Sequence, residues 1–491
     1  MLTRLKVDGF KNLIDVDVAF GPYTCIAGSN GAGKSNLFDA IEFLSLLARG
    51  TFAEAVAGTR SDDLGGSSVT DLLSRNGEWT APSLRLECEL LVPRTGGDDL
   101  GRSLEPASTY LRYAVELRRR DEGRIAAGPL ELVREELVSV ASAEARERLA
   151  FAAPDSAWVE SVLLVEDEPR WFLSTVGDDD GPRAVMIHPD PKAERGVALG
   201  AGKGTVMTRD LSRSVLSSMA SVYNPTLWLA RQELGSWRRL ELESRAMRRP
   251  DRFDAPVGIE RDGSGMARTL HALIGSDRGG EGRPVLADLE GRLFEVAAEI
   301  RSLKLDVDDR RELLTLLGVD RHGTSHDARS LSEGTLRFLA LAMLEADVRP
   351  GVLCLEEPEN GIHPSRIEST VRLLGDIALD PGFADGEDNP LRQVVVNTHS
   401  PGVVSASSAD ALLFVDTRQV RVGGEGGRHV PAARFRSLDG TWRSVSARAG
   451  SHLSPPDLYA FLGYAPWFES ERTGVANVRD YLTEWSRAVR F

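Results

Sequence analysis

Residues 28–35 read Gly28-Ser29-Asn30-Gly31-Ala32-Gly33-Lys34-Ser35, and this stretch decides the fold. It matches the pattern G-x-x-x-x-G-K-[ST], in which glycines let successive backbone N–H groups turn toward phosphate oxygens. A strand-like run at 23–27 precedes the stretch, and apolar residues at helical spacing follow it from Leu37 to Leu47. The pattern needs this context, because the N-terminus of the helix adds its positive dipole end. The sequence therefore predicts a nucleoside triphosphate site in an α/β fold.

Two residues of this loop have specific predicted roles. Lys34 is expected to reach the β- and γ-phosphates, and Ser35 can ligate Mg²⁺. The predicted cofactors are therefore ATP and Mg²⁺, and Lys34 counts among the catalytic residues. The residues predicted to contact the nucleotide here are Gly28, Ser29, Asn30, Gly31, Ala32, Gly33, Lys34, Ser35 and Asn36.

An acidic pair ends a second apolar run. Glu356 and Glu357 follow residues 352–355 and precede Pro358. In parallel sheets, ligands collect at the carboxyl ends of such buried strands. Glu356 is predicted to hold Mg²⁺, directly or through water, and Glu357 to act as the general base on the attacking water. An acidic pair at a turn is by itself more often structural, but the phosphate loop reverses that preference.

Two further stretches add anion-binding groups. Ser332-Glu333-Gly334 opens an apolar helix, where a hydroxyl and a glycine backbone form an anion site. His399 follows the apolar run 394–396 and is predicted to hydrogen-bond the γ-phosphate as a catalytic residue. A lone histidine after a strand is more often structural, and the order of the motifs favours the phosphate role.

That order resembles the one found in ABC-type ATPases: P-loop, L-S-x-G signature, E-E-P acidic strand and T-H-S histidine. More narrowly, the chain resembles the RecF, SMC and OLD-like branch, and residues 7–13 are similar to the first-strand motif of that branch. The resemblance extends to 356–364 and 398–401, and to the insert segments 230–234 and 263–267.

This resemblance implies a site shared by two copies of the chain. In the family, ATP lies between the P-loop of one head and the signature of the other, so Ser332 and Gly334 would serve the nucleotide of a homodimeric partner. ATP would then control assembly, because hydrolysis removes the bridge between the heads. The resemblance also implies phosphate contacts by Lys11 and Asn12 and a metal-sensing role for Gln232. Arg337 would support the interface or be a plain surface residue.

The chain departs from the family pattern in three places. The first acid is Glu356, where transporter ATPases carry Asp, and this favours the OLD-like branch. The signature has Glu333 and Thr335 in place of the usual Gly and Gln. The segment between P-loop and signature contains many Pro and Gly residues and lacks heptads, which excludes a long coiled-coil arm.

The predicted fold class is α/β: a P-loop NTPase of the ABC-ATPase type, with a mixed sheet and flanking helices, an antiparallel β subdomain and an inserted helical lobe. Strand-like segments at 84–90, 110–117 and 130–140 predict the antiparallel subdomain. Local predictions include a strand at 161–165, helix over 208–247 with a break at Asn224-Pro225, and a final helix at 475–489. The predicted domains are an N-terminal ATPase half (1–140), an inserted lobe (141–300), a C-terminal ATPase half (301–416) and a C-terminal α/β extension (417–491).

Composition narrows the class of protein. With 491 residues, 42% apolar and 27% charged, the chain is expected to be globular and cytoplasmic, with no transmembrane run and no apolar signal-peptide core. Cys25, Cys88 and Cys354 are widely spaced within apolar runs and are predicted to be buried free thiols. The net charge of −15 argues against a surface coated with nucleic acid, but it allows a local basic groove.

Two functions stay open from the sequence. The first is a RecF-like ATPase whose ATP-driven dimerisation engages DNA in repair or anti-phage defence. Arginines at 231, 238, 239, 245, 248, 249, 252 and 118–120 would contact DNA phosphates, although interleaved glutamates make a solvated ion-pair face equally consistent. The second is an ATP-dependent switch that controls a separate effector protein, such as a nuclease, without touching DNA.

Three weaker patterns are interpreted as having no catalytic role. Residues 402–491 lack the Glu and Asp-x-Asp arrangement of a metal-dependent nuclease, so no intrinsic nuclease activity is expected. His322 and His326 have metal-like spacing without a third ligand nearby. The run 200–205 resembles a second P-loop, but Gly204 stands where Ser or Thr is needed.

Overall fold

A computed structural model describes residues 1–59, 68–120, 128–177, 182–193, 204–221, 224–276, 285–297, 299–423, 427–446 and 452–462. These residues form two large sheets, one smaller sheet and the helices between them. The predicted helix at 475–489, the glycines at 200 and 202, and most of the loop at 177–182 lie outside this part of the chain.

One large sheet carries the phosphate loop. Its seven strands are β3 (Tyr23–Gly28), β14 (Arg238–Leu240), β19 (Gly351–Glu356), β20 (Arg392–Thr398), β21 (Leu412–Val422), β22 (Arg428–Leu438) and β23 (His452–Leu453). They lie in the order β14-β19-β20-β3-β21-β22-β23. The first five of these run parallel, and β22 pairs antiparallel with β21. The carboxyl ends of the acidic strand β19, the histidine strand β20 and the P-loop strand β3 therefore meet at one edge of the sheet.

Helices cover both faces of this sheet. One face packs on α1 (Lys34–Arg49) and α6 (Pro225–Ser236), and the other on α8 (Met266–Ser276), α9 (Val285–Val296), α10 (Glu333–Ala346), α11 (Ile367–Ile377) and α12 (Pro401–Ala406). The side chains of β19 alternate between the two cores: Cys354 joins the α1 side, while Leu353 and Leu355 join the α10 side. This two-sided burial explains why 352–355 is an unbroken apolar run.

The second large sheet is antiparallel. Its strands are β1 (Leu2–Asp8), β2 (Val16–Ala19), β6 (Ser83–Leu91), β9 (Tyr110–Arg119), β10 (Leu130–Ser139), β11 (Trp171–Val176), β12 (Ala184–Ile187) and β13 (Gly204–Met207), in the order β13-β12-β11-β10-β9-β6-β1-β2. Its apolar face shares one core with α1 and α6. The antiparallel arrangement predicted for the segments at 84–90, 110–117 and 130–140 is confirmed.

The remaining elements are short. A four-stranded sheet contains β15 (Asp251–Arg252), β16 (Ile300–Asp308), β17 (Leu313–Asp320) and β18 (Ser325–Asp327), and two ribbons pair β4 (Arg75–Asn76) with β5 (Trp79–Thr80) and β7 (Gly96–Gly97) with β8 (Ser103–Leu104). The other helices are α2 (Phe52–Gly58), α3 (Val69–Leu72), α4 (Ser142–Arg148), α5 (Ala157–Val162), α7 (Ser244–Met247), α13 (Trp442–Ser446) and α14 (Pro455–Leu462). Single 3₁₀ turns occupy Leu216–Ser218, Ala328–Ser330, Pro364–Arg366 and Ala409–Ala411.

Two local predictions are wrong. The predicted strand at 161–165 begins inside a helix, because Ser161 and Val162 are the last residues of α5. The helix predicted over 208–247 is confined mainly to α6, and Asn224-Pro225 begins that helix instead of breaking one. The Asn224 side chain accepts a hydrogen bond from the Leu227 N–H at 2.9 Å, and proline fits the first helical turn because its missing N–H would have had no helical partner.

The domain boundaries stay a prediction. The predicted inserted lobe, residues 141–300, contributes strands to three different sheets and is not one separate insertion. Residues 141–300 supply β11–β13 to the antiparallel sheet, β14 to the P-loop sheet and β15 to the small sheet. Cys25, Cys88 and Cys354 are buried and unbonded, as predicted. No helix within the described part of the chain is long and apolar enough to cross a membrane.

Candidate functional site

The loop between β3 and α1 has a shape that only glycine permits at two positions. Gly33 has a φ of +117°, and a Cβ there would lie 2.8 Å from the Ala433 Cβ and from the Asn12 side-chain amide. A Cβ on Gly28 would lie 2.3 Å from the Val415 carbonyl oxygen. The loop is thus braced by β21 and β22, while Ser29, Asn30 and Gly31 are exposed at its outer side.

Lys34 lies within this loop at the first residue of α1. Its Nζ donates hydrogen bonds to the carbonyl oxygens of Gly28 at 2.7 Å and Ser29 at 3.1 Å. Burial lowers the pKa of Lys34, against the attraction of the nearby carboxylates of Glu357 and Glu356. The ammonium group is therefore held at the mouth of the loop and faces the acidic strand.

The structure brings the two predicted metal ligands together. Ser35 Oγ donates to Glu356 Oε2 at 3.2 Å, and Asn397 Nδ2 donates to the same oxygen at 3.2 Å. A hydroxyl oxygen beside a carboxylate oxygen is the donor chemistry that Mg²⁺ prefers. Ser35 and Glu356 therefore fit this ion.

Glu357 and His399 form a second pair beside the first. His399 Nδ1 lies 2.5 Å from Glu357 Oε1, and Asn360 Nδ2 donates to Glu357 Oε2 at 2.8 Å. Burial would raise the pKa of Glu357, but the hydrogen bonds from Asn360 and His399 and the charge of Lys34 outweigh it and lower the pKa. The carboxylate is therefore ionised at neutral pH, as a general base must be.

The backbone at Glu357 is strained. Its φ is +42°, in the left-handed region that non-glycine residues rarely adopt. Its N–H is shared between the Asn397 carbonyl oxygen at 3.1 Å and the Asn397 Oδ1 at 3.2 Å. Such strain is retained where the surrounding structure fixes a residue for function. Two further residues tie this loop to β20, because Thr398 Oγ1 donates to the buried carboxyl of Glu359.

The signature residues lie at the start of α10. Ser332 is exposed and caps the helix, its Oγ accepting from the Thr335 N–H at 3.1 Å. Gly334 is buried against the loop that follows the acidic strand, since a Cβ there would lie 2.6 Å from the Gly361 carbonyl oxygen. Arg337 is occupied by Glu333, which accepts from its Nη2 at 2.9 Å. The start of α10 is therefore in close backbone contact with the acidic loop.

Lys11 and Asn12 adjoin the phosphate loop, and the phosphate contacts that the resemblance implied stay a prediction. Asn12 Nδ2 donates to the Ala32 carbonyl oxygen at 3.3 Å, and Asn36 Nδ2 donates to Asn12 Oδ1 at 2.8 Å. Lys11 Nζ lies 2.6 Å from Asp39 Oδ2 on α1. Asn12 thus supports the loop from behind, and the ammonium of Lys11 pairs with the P-loop helix.

The structure contradicts the metal-sensing role predicted for Gln232. Gln232 lines a surface cleft with Ala48 and Arg49, at the C-terminal end of α1. Ser35 lies 13 residues before Ala48 on α1, and at 1.5 Å per residue this separation is about 20 Å. The local sequence of α6 resembles the family, but the helix presents Gln232 to the wrong end of α1.

Sequence reasoning missed the residue that contacts Glu356 most closely. Arg239, on the edge strand β14, donates through Nη2 to Glu356 Oε1 and through Nη1 to Asp39 Oδ1 at 2.6 Å. Its side chain is 5% exposed, so its place in the predicted DNA-facing cluster is wrong. Signals existed: Asp39 stands one helical turn after Ser35, and Arg239 lies in a three-residue strand between Arg238 and the apolar Leu240. They were too short to interpret without the sheet order.

Five other arginines of the two predicted clusters hydrogen-bond or pair with groups of the protein itself. Arg231 donates to the Ala48 carbonyl oxygen, Arg248 to those of Ala328 and Arg329, and buried Arg120 to those of Leu130 and Leu211, while Arg118 pairs with Glu131 and Arg252 with Asp254. These arginines therefore bond backbone carbonyl oxygens or pair with acids.

Comparison with known proteins agrees with this geometry. Residues 208–405 match the family model described as "AAA domain, putative AbiEii toxin, Type IV TA system". An Smc chromosome partition protein of Thauera aminoaromatica is 28% identical over 135 residues, which cover 24% of this chain and 10% of that protein. An OLD nuclease of Thermus scotoductus is 48% identical over 44 residues, covering 9% and 8%, and a RecF replication and repair protein of Parabacteroides distasonis is 46% identical over 46 residues, covering 9% and 13%.

These matches support an ABC-type ATPase similar to the RecF, SMC and OLD-like group. It has the P-loop NTPase fold of that group. Its matches span only about a tenth of the length of these curated relatives. Among solved structures, an Smc head bound to the C-winged helix domain of ScpA superposes with a TM-score of 0.46 at 14% identity, covering 89% of this chain and 98% of that one.

Proposed function

We propose that this RecF, SMC and OLD-like protein binds Mg-ATP and hydrolyses it between two copies of the chain. The observation that carries the proposal is the meeting of two pairs at one sheet edge: Ser35 with Glu356 at 3.2 Å, and Glu357 with His399 at 2.5 Å. The first pair has the chemistry of a metal site, and the second that of a general base oriented by its neighbour.

Each residue of the site then has a distinct task. Lys34 exchanges its carbonyl partners in the loop for phosphate oxygens, and the exposed backbone of residues 29–31 cradles the phosphates. Ser35 and Glu356 would hold Mg²⁺, which neutralises charge on the phosphate oxygens when bound. Glu357 takes the proton of the attacking water, and His399 orients the carboxylate and donates toward the γ-phosphate.

The second half of the site is assigned to another copy of the chain. Ser332 is exposed at the N-terminus of the 14-residue helix α10, where a hydroxyl and free N–H groups suit a phosphate. Gly334 packs against the loop of Glu357, so closure on a partner's nucleotide would be felt at the catalytic base. This arrangement makes ATP the link between two heads.

Mixing two inactive variants tests the shared site. Lys34→Ala removes the P-loop half and Ser332→Arg blocks the signature half, so each variant alone is expected to be inactive. An equal mixture should recover about one quarter of the wild-type rate, because half of the random dimers are mixed and each holds one intact site. Failure to recover activity, with mixed dimers demonstrated by cross-linking, would contradict a site built from two chains.

Two processes are candidates for control by ATP: the engagement of DNA and the switching of an effector protein. Relatives named for chromosome partition, for replication and repair, and as a nuclease favour coupling to DNA, and the matched toxin-family model favours a defence role. The occupied arginines favour the alternative, a switch that acts on a separate effector protein. A gel shift in low and high salt, with and without ATP, separates them: salt-sensitive binding supports the DNA role. Absence of binding in low salt would leave the effector switch.

A further inference from the structure

Arg239 sits where a short edge strand meets the acidic strand. In β14 it is paired in parallel register with Cys354 of β19, two residues before Glu356. The guanidinium is buried on the α1 side of the sheet, and its Nε makes no hydrogen bond with any described residue. A buried guanidinium needs acceptors for its hydrogen bonds, and those of Arg239 are carboxylates.

The partners of Arg239 are carboxylates on the P-loop helix α1 and on the acidic strand β19. Arg239 bridges Asp39 on the P-loop helix at 2.6 Å to Glu356 on the acidic strand, and Glu42 lies at 3.4 Å. Burial would lower the pKa of Arg239, but the attraction of Glu356 and Asp39 outweighs it and raises the pKa. Without Arg239, Glu356 would lose this guanidinium partner, whereas Asp39 would keep its ion pair with Lys11.

The bridge divides the two oxygens of Glu356 between different tasks. Oε1 is held by Arg239, while Oε2 faces the Ser35 hydroxyl and the Asn397 amide. Glutamate has one more rotatable bond than aspartate, so its oxygens are less defined unless a second contact fixes them. The rigid donor fork of an arginine supplies such a contact, whereas a lysine supplies only a point charge.

We propose that Arg239 is a positioning residue that presents one oxygen of Glu356 to the Mg²⁺ of the bound nucleotide and locks the acidic strand to the P-loop helix. This role rests on the proposed function of the site and explains how the chain uses Glu at this place. It also makes β14, which follows α6 directly, a mechanical part of the nucleotide site.

The test compares Arg239→Met and Arg239→Lys with a matched control, Arg120→Met. Arg120 is also buried, but its guanidinium bonds the backbone carbonyl oxygens of Leu130, in the antiparallel sheet, and Leu211. ATP affinity is measured by calorimetry in EDTA and in excess MgCl₂, and the Mg²⁺ concentration for half-maximal hydrolysis is measured on the full chain. Arg239→Met should bind ATP in EDTA like the wild type, lose the gain in affinity from Mg²⁺, and need at least about tenfold more Mg²⁺.

Lysine and the double variant make the test specific. Arg239→Lys should shift the Mg²⁺ requirement in the same direction but less, and it decides the matter if the methionine variant does not fold. Arg120→Met should leave the Mg²⁺ requirement unchanged whatever its thermal stability. Adding Arg239→Met to Glu356→Gln should have little further effect, because each change alone already disrupts the ion pair between these two residues.

Several results would overturn the role of Arg239. They are a wild-type Mg²⁺ requirement in a folded Arg239 variant, an equal loss of ATP affinity in EDTA, or fully additive losses with Glu356→Gln. A wild-type protein that neither binds nor hydrolyses ATP would instead overturn the proposed function, so the two failures are distinct.

Discussion

Replacing Glu357 by Gln is the most direct perturbation of the proposed chemistry. The amide keeps the length of the side chain, and its single oxygen can still accept from one of the two partners, Asn360 at 2.8 Å or His399 at 2.5 Å in the wild type. It removes only the negative charge and the ability to accept a proton from water. The strained φ of +42° is equally demanding for either side chain, so the backbone is expected to be unchanged.

The size of the effect follows from the state of the carboxylate. Because the pKa of Glu357 lies below its ordinary value, the wild-type base is fully ionised at neutral pH and none of its catalytic contribution is lost to protonation. General bases contribute roughly 10²- to 10⁴-fold, so kcat should fall by that factor, which is about 3–5 kcal/mol in the barrier. ATP binding should be retained or improved, since Lys34 loses an attractive partner that competes with the phosphates.

The assay combines steady-state hydrolysis, ATP affinity and size-exclusion chromatography in Mg-ATP. Glu357→Gln should bind ATP, hydrolyse it slowly and accumulate as a dimer. The control is Glu368→Gln, an exposed acid on α11 whose side chain lies 3.9 Å from Arg372, and it should behave as the wild type. Hydrolysis at the normal rate by Glu357→Gln would refute the assignment of the base, and a monomeric ATP-bound variant would refute the two-copy site.

Three further predictions follow from the same contacts. His399→Ala removes a hydrogen bond that lowers the pKa of Glu357, so the pKa of Glu357 should rise. The acid limb of the pH–rate profile should then move to higher pH. If the limb did not move, His399 would not influence the general base. Gly334→Ala places a Cβ 2.6 Å from the Gly361 carbonyl oxygen and should cost about 1–3 kcal/mol in thermal unfolding, whereas the control Gly375→Ala, in open space on α11, should be neutral or stabilising. Lys34→Ala should weaken ATP binding by at least about tenfold in calorimetry with the melting temperature of the free protein little changed, and undiminished affinity would remove Lys34 from the phosphate site.

The parts of the site that could be predicted from sequence are those encoded locally. Strand, glycine loop and helix at 23–47 are contiguous, and each strand that carries an acid or histidine is an apolar run ending in a polar residue. Sheet order then brings their ends together, because parallel strands share the edge at which they end. Glu356, Glu357 and His399 could therefore be predicted to lie together without knowing any contact.

What failed depends on contacts between distant segments. Arg239 lies in a strand of three residues, and its partner Asp39 is 200 positions away in sequence, so no periodic pattern marks the pair. Gln232 shows the reverse error: its local sequence resembles the family, but the direction of α6 against α1 decides where its side chain lies. The arginine cluster shows a third limit, because neighbours in sequence need not share a surface: Arg239 is buried while Arg252 is exposed, and contact with DNA stays a prediction.

The bracing of the phosphate loop by β21 and β22 has a consequence during synthesis of the protein on the ribosome. Gly33 packs against Ala433, and Gly28 against Val415, so the two sides of one tight loop are about 400 residues apart in the chain. A ribosome adding 5–20 residues per second needs roughly 20–80 s to make that stretch. During this time a nascent chain already displays its glycine-rich loop but lacks the strands that shape it. The growing polypeptide therefore lacks the residues that brace its phosphate loop until Val415 and Ala433 have been made.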